Sequence, residues 1–367
     1  MTTRVAVCGV AGMGLYHVFA VPRVEGAELT AVCDVDEAVL AKHAERAQTF
    51  TSLEALLAAD VADAVVIATP NAFHPAQVRT ALEAGLHVYC EKPLANTVGG
   101  CREIAALARE RGRVVQVGFQ HRFQHSYAGA HDIVSSGGIG EVHRAVLTAT
   151  DWLRTQAYFE QRPWRKSWAA AGGGVLMMQA IHQLDAFLWT AGMPSTVLAK
   201  AWRARHDAEV EDDITAILEF PGGARGQITA STTDGVGANR IEVHGDTGSV
   251  VADGDSLRRA KVPVGVAGLI AGSEETMPKL EVSWEDVPAD GAPVSFDECG
   301  LACLTDFVRA IGTGSAPRND PRQATMAVEV ANACYLSAVI GEEVSLPLDA
   351  ERYEKVYAQL CSGEVTI

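Results

Sequence analysis

The sequence predicts an α/β protein of two domains: residues 1–122 form a parallel-sheet domain, and residues 123–367 a second α/β domain on an open, mostly antiparallel sheet. Three observations predict it. At 367 residues the chain exceeds what one hydrophobic core usually spans. Its opening third alternates short β-branched runs with longer amphipathic ones, the signature of parallel βαβ units. Beyond about Arg122 the pattern changes to longer alternating strands, which belong to an antiparallel sheet.

Charge and cysteine usage narrow the function classes. A net charge of -16 repels a phosphate backbone, so no nucleic-acid partner is expected, while small polar substrates stay open. No apolar run reaches the ~20 residues that span a bilayer. Met1-Thr2-Thr3-Arg4 passes into a strand pattern without the apolar stretch and cleavage site of a signal peptide, so a soluble, cytoplasmic protein is expected. The eight cysteines are scattered, with no CxxC pair and no Cys/His cluster at zinc spacing. They read as reduced and mostly structural, with Cys8, Cys33 and Cys90 packing in apolar runs as alanine would. No metal site is expected, which argues against a zinc-type alcohol dehydrogenase.

The first strand, residues 5–9, runs into Gly9-Val10-Ala11-Gly12-Met13-Gly14. Gly9 is placed for a tight turn and Gly14 for close helix packing, and a pyrophosphate would sit on the amides at the helix N-terminus. The usual middle glycine is Ala11, so either its methyl is tolerated or Gly12 supplies the close approach. Alone, the loop is equally consistent with a glycine-rich turn that binds nothing. Asp34 adds the second signal. It ends the second strand, residues 29–33, twenty positions beyond Gly14, where a carboxylate meets an adenosine ribose; a helix N-cap is the alternative. A carboxylate there accepts from two ribose hydroxyls and repels a 2′-phosphate, and Val35 and Asp36 offer no cation to neutralise one. The domain therefore reads as a Rossmann domain for NAD rather than NADP, held by Gly9, Ala11, Gly12, Met13, Gly14 and Asp34.

The third strand, residues 64–68, ends in Ala68-Thr69-Pro70-Asn71-Ala72-Phe73-His74-Pro75, and a further strand, residues 86–90, ends in Glu91-Lys92-Pro93-Leu94. Both motifs lie at carboxyl ends of strands, where ligands bind near the switch point of an open α/β sheet. The pair resembles the glucose-fructose oxidoreductase, inositol dehydrogenase and rhizopine-catabolism family, Gfo/Idh/MocA. Ordered matches continue along nearly the whole chain: Val117-Gly118-Phe119, Arg122-Phe123, Ile139-Gly140-Glu141, Trp164-Arg165, Gly172-Gly173-Gly174, Ile181-His182 with Asp185, and Ile241-Glu242-Val243-His244-Gly245. The resemblance implies that Lys92 stands beside the nicotinamide and the reacting carbinol, that Pro93 shapes a turn that is often a cis peptide, and that Glu91 contacts the nicotinamide ribose. Thr69, Pro70, Asn71 and His74 would line the cofactor trough, with helix capping an alternative for His74. An ammonium beside the reacting oxygen stabilises negative charge as the alcohol loses its proton, and burial lowers a lysine's pKa toward general-base range.

In the second domain, strands are expected over residues 144–150, 195–202, 214–220 and 226–232, and a loop or insertion over 253–277. The resemblance implies that one sheet face pairs with a second subunit, giving a homo-oligomer, a dimer or tetramer. After Gly172-Gly173-Gly174, a helix is expected over residues 175–191, closed by Gly192 and Pro194. On it His182 and Asp185 stand at i and i+3 and share a face, so Asp185 could hold the imidazole, although capping or packing is an equal possibility. The resemblance places His182 at the substrate, where a histidine near neutral pKa suits removal of a hydroxyl proton. It also brings Arg122, Trp164 and Arg165 to the substrate or nicotinamide; a plain aromatic packing cluster is the alternative for the Trp164-Arg165 pair. Where the family commonly carries Asp four residues before this histidine, the chain has Met178. Its thioether is expected to line the substrate pocket, which favours glycosides over bare polyols.

The expected function is transfer of a hydride between a sugar, glycoside or polyol carbinol and NAD, with Lys92 and His182 catalytic. Two alternatives remain: an NAD-dependent glycosidase or lyase that oxidises its sugar transiently and eliminates the aglycone, and a non-catalytic NAD-binding sensor.

Overall fold

Six strands build the first sheet of the computed structural model, which describes residues 2–367. They are β1 (Thr3–Cys8), β2 (Ala27–Cys33), β3 (Gln48–Phe50), β4 (Ala64–Ile67), β5 (His87–Cys90) and β6 (Val115–Val117), in the order β3-β2-β1-β4-β5-β6. Every pairing is parallel. The burial explains the composition: β4, Ala-Val-Val-Ile, is buried at each position, as a strand covered on both faces must be. The strand order reverses between β1 and β4. Helix α1 (Met13–Ala20) follows β1, and helix α2 (His74–Glu83) follows β4.

The second sheet has nine strands. These are β7 (Val142–Ala149), β8 (Thr196–Trp202), β9 (Asp213–Glu219), β10 (Arg225–Ser231), β11 (Asn239–Gly245), β12 (Gly248–Asp253), β13 (Ser256–Lys261), β14 (Ser283–Asp286) and β15 (Val344–Ser345), in the order β14-β13-β12-β11-β7-β10-β9-β8-β15. Only β7 and β10 run parallel. Its strands alternate: on β9, Ile214, Ala216 and Leu218 are buried while Ile217 and Glu219 are exposed, the mark of a sheet with one covered face. The expected loop over residues 253–277 is corrected, because β13 pairs with β12 across the two-residue turn Gly254-Asp255. Gly254 takes the positive φ that this hairpin needs. The arginines between Leu257 and Ala260 mask the alternation in the sequence.

The helix expected over residues 175–191 is two, α3 (Val175–Met178) and α4 (Ile181–Ala191). The amide of Ala180 bonds the carbonyl of Val175 five residues back, at 2.8 Å, which widens the turn and breaks the run. Met178 and His182, which one continuous helix would place a turn apart on the same face, therefore stand on opposite sides of a break.

The chain divides into two compact units, but not at a single boundary near residue 122. The first unit runs to Gln120 and also takes Ala169–Gly172 and Phe296–Val328; the second holds His121–Trp168, Gly173–Ser295 and Glu329–Ile367. The physical reason is the short edge strand β6, whose polar groups are met by returning chain. Helix α5 (Phe296–Thr313) brings Cys303, whose carbonyl accepts from Gln116 Nε2 at 2.7 Å. Asn319 accepts from the Val117 amide at 3.0 Å and donates to the Phe119 carbonyl at 2.9 Å. Among the described residues no helix is long and apolar enough to cross a membrane. All eight cysteines are free thiols, seven of them buried.

Candidate functional site: a dinucleotide cradle and a histidine helix

In the first unit the candidate residues gather at the carboxyl ends of parallel strands. Gly9 leaves β1 at φ +81, and a Cβ on it would lie 2.9 Å from the Ala68 carbonyl. A Cβ on Gly14 would collide with the Gly9 carbonyl oxygen, so α1 can approach β1 this closely only with glycine there. Gly12, at φ 58 and ψ -120, precedes the first residue of α1, Met13, and no side chain caps the helix. The Gly14 amide turns back to the Ala11 carbonyl at 3.1 Å, no side chain takes the other amides of the first turn, and the N-terminal partial positive charge favours an anion. Ala11 is exposed, so its methyl is accommodated where the middle glycine usually stands.

The Asp34 carboxylate is aimed by two amides: it accepts from Val10 N at 2.9 Å and from Asp36 N at 3.1 Å. The helix N-cap role belongs instead to Asp36, which accepts from Ala38 N at 2.9 Å. That leaves Asp34 half-buried beside the glycine turn, as a group that grips a ribose would be. The cradle fits a dinucleotide: a turn no Cβ could enter, uncapped helix amides and a fixed carboxylate.

Beyond β4, Thr69 donates to Gln77 Oε1 at 2.6 Å, and Asn71 donates to the Ala171 carbonyl at 3.0 Å. His74 is not in a trough. It is fully buried, with Nδ1 2.7 Å from the Pro93 carbonyl and Nε2 2.8 Å from the Thr69 carbonyl. Burial holds its pKa below the ordinary value while the two carbonyls pull the other way, and the ring braces the Thr69-Pro70 loop against the Lys92-Pro93 turn. Glu91 is likewise turned inward, accepting from His17 Nε2 at 2.7 Å, with both side chains buried. Burial opposes its charge, but the His17 bond and the nearby Lys92 outweigh it and hold the carboxyl below its usual pKa. In the structure its partner is His17, beneath the turn. Lys92 is half-buried at the end of β5, and the Lys92-Pro93 peptide is cis.

In the second unit His182 stands near the start of α4, 8% exposed, its ring 4.9 Å from that of His121. His121 in turn stacks on Tyr127 at 5.2 Å. Sequence reading passed over His121 because a single histidine in a polar stretch carries no spacing signal. Asp185 does not hold the imidazole. Both its oxygens accept from Arg122, Oδ2 from Nε and Oδ1 from a terminal nitrogen, each at 2.7 Å, and both side chains are wholly buried. Burial pushes the Asp185 carboxyl up and the guanidinium only partly offsets this. Arg122 also lies 5.3 Å from the Trp189 ring. Arg122 and Asp185, expected at the substrate, are occupied in the structure by this buried ion pair with one another.

Arg165 lies over Tyr158, 3.9 Å from the ring centroid, and donates to its carbonyl at 3.0 Å; Trp164 is half-buried beside it. The Tyr158 hydroxyl accepts from Gln179 at 2.9 Å, next to half-buried Met178. Tyr158 and Gln179 were missed because nothing in their spacing links them. Among the described residues no group of three His, Cys, Asp or Glu side chains could hold a metal ion.

A parallel sheet in the order 3-2-1-4-5-6, with this cradle at its switch point and a second, largely antiparallel domain after it, defines a dinucleotide-binding α/β oxidoreductase of two domains. The chain belongs to the GFO/IDH/MocA family. Residues 3–119 match its oxidoreductase NAD-binding Rossmann fold, and residues 127–251 its C-terminal domain. The chain is 27% identical to an inositol 2-dehydrogenase of Rhizobium meliloti, over 94% of this chain and 100% of that one. It is 40% identical to an inositol 2-dehydrogenase of Corynebacterium glutamicum, over 52% of this chain and 54% of that one. In structure it is similar to the WlbA dehydrogenase from Bordetella pertussis, solved with NADH and UDP-GlcNAcA. There the TM-score is 0.79 at 26% identity, over 95% and 100% of the chains. The chain is thus an NAD-binding oxidoreductase.

Proposed function

We propose that this protein is an NAD-dependent dehydrogenase of a sugar, glycoside or polyol carbinol, with Lys92 and His182 as its catalytic groups. The observation that carries the reading lies within one sheet. The glycine cradle leaves the carboxyl end of β1, and Lys92 leaves the same end of β5, two strands away across β4. Relatives named inositol 2-dehydrogenase support the substrate class.

NAD, when bound, supplies the hydride acceptor. Gly9, Gly12, Gly14 and the amides of α1 would hold its pyrophosphate, and Asp34 its adenosine ribose. The Lys92 ammonium stabilises charge on the carbinol oxygen as its proton leaves, and His182 takes that proton at a ring nitrogen. Trp164, Arg165 and Met178 contribute to substrate recognition, the thioether where a carboxylate would favour a bare polyol. His74 and Glu91 hold the turn that presents Lys92. A cytoplasmic homo-oligomer completes the proposal.

The test is incubation with NAD and a panel of sugars, inositols and glycosides, following reduced-nicotinamide absorbance and aglycone release together. NADH accumulation with at least one carbinol is the expected result; aglycone release without it would make the enzyme a lyase, and silence across the panel would favour a sensor. With the substrate in hand, Lys92→Ala and His182→Ala should each lower kcat by about 10² to 10⁴, leaving NAD affinity nearly unchanged. Near-normal turnover by either variant removes that residue from the chemistry.

A further inference from the structure

We propose that Glu211 is a positioning residue for His182, its buried carboxylate anchoring the Gly173-Gly174 turn and the first turn of α3, from which the His182 helix is built. The inference rests on the dehydrogenase reading for its kinetic consequence only. Glu211 is 1% exposed, and its carboxylate accepts three hydrogen bonds: from Gly174 N at 2.6 Å, from Leu176 N at 3.0 Å and from the Tyr335 hydroxyl at 2.9 Å. Its backbone carbonyl accepts a fourth from Val175 N at 3.0 Å. Three consecutive amides at the start of α3 thus end on one residue, and no side chain of α3's own N-cap competes. The two glycines are there for this contact. A Cβ on Gly174 would collide with the Glu211 carbonyl, and a Cβ on Gly173, at φ +154, with the Tyr335 hydroxyl.

Such an anchor depends on the charge state of the carboxyl. Ionised, it accepts from all three donors; protonated, it donates to the Tyr335 hydroxyl oxygen and still accepts from both amides, so the charge state sets what closure costs rather than how many bonds it makes. The titratable groups around it are Tyr335 and Cys334 on the helix Pro321–Ile340 and Tyr353 on the helix Ala350–Ser362, none of them a cation. Its chain neighbour Asp212 turns away to the amides of Arg205 and His206 and to the His206 ring, each at 2.9 Å. Burial without a counter-charge pushes the Glu211 carboxyl up to about 7, against the pull of the amides and of Tyr335. The closed anchor therefore holds this proton more tightly than an opened, solvated one would, and it is set to loosen as pH rises through about 7.

Two measurements test this, the first needing no substrate. Amide exchange at Gly174 and Leu176 of the unliganded full chain, corrected for the intrinsic pH dependence, should speed up as pH rises through about 7, and Glu211→Gln should abolish that step. Protection that is independent of pH in the native protein overturns the proposal. Second, Tyr335→Phe removes a donor that favours the anion. It should move the alkaline fall of kcat to higher pH by about half to one unit, at unchanged NAD affinity. A merely structural role would lower Tm and leave that fall in place, which also overturns the proposal. An exchange step that titrates as expected, with no turnover of any sugar or polyol, supports the anchor and overturns the dehydrogenase reading instead.

Discussion

At the scale of single residues, Asp34 is proposed to set the cofactor preference. Its carboxylate is held by the amides of Val10 and Asp36, so it cannot swing away from a 2′-phosphate. Charge repulsion and lost ribose bonds together are worth roughly 2 to 4 kcal/mol. Titration should therefore show NAD bound more tightly than NADP, with Asp34→Ser narrowing the gap and leaving the fold intact; equal affinities in the native protein would overturn the assignment. Glu211 gives a stability prediction. Its carboxyl titrates near 7 in the fold against an ordinary 4.5, so the folded state holds this proton more tightly than the unfolded chain. That stability is fully present below about pH 4.5 and is lost as pH rises through about 7, to the extent of about 3 kcal/mol. Urea denaturation at pH 5 and pH 8 should show native stability falling relative to Glu211→Gln by that order, and parallel pH dependences would refute it.

At the scale of elements, the Arg122–Asp185 pair ties the Gln120–Phe123 turn to α4, joining positions 63 residues apart. Both ions are buried, so removing one leaves the other uncompensated. Asp185→Asn is expected to cost about 3 to 5 kcal/mol of unfolding free energy, read from denaturant midpoints. A variant of native stability whose only defect was a raised KM would restore Asp185 to substrate binding. The same element shows what periodicity can miss. The apolar run of residues 175–191 was legible as helix, but not the break at Gln179-Ala180, where the Ala180 amide reaches Val175 instead of Leu176.

At the scale of the whole molecule, the outer face of the second sheet carries unburied apolar side chains. Leu198 and Trp202 on β8 are 40% and 47% exposed, and Ile217 on β9, directly paired with Leu198, is 59% exposed. The Leu198–Ile217 pair, separated from Trp202 by Lys200 and Thr215, leaves apolar surface on this face that supports the proposed homo-oligomer. Sedimentation of the native chain should give a dimer or tetramer, and Ile217→Lys should shift it toward monomer without lowering Tm by more than about 1 kcal/mol in equivalent stability. A native monomer at micromolar concentration would rule the interface out.

Local chemistry was enough to read the strand–turn–helix element after β1, the placement of Asp34 after β2 and of Lys92 at the end of β5, and both sheet types. In each case the signal lies in adjacent or regularly spaced residues: positive-φ glycines, continuous apolar strands, alternation with period two. Tertiary structure decided what distant residues do to one another. It turned His74 and Glu91 inward, matched Asp185 to Arg122 rather than to His182, set His121 beside His182, and returned residues 296–328 to cover the edge of the first sheet. A carboxylate's partner is whichever donor the fold brings to within about 3 Å of it, and that choice among dozens of candidates is settled by burial and packing, which no spacing along the chain encodes.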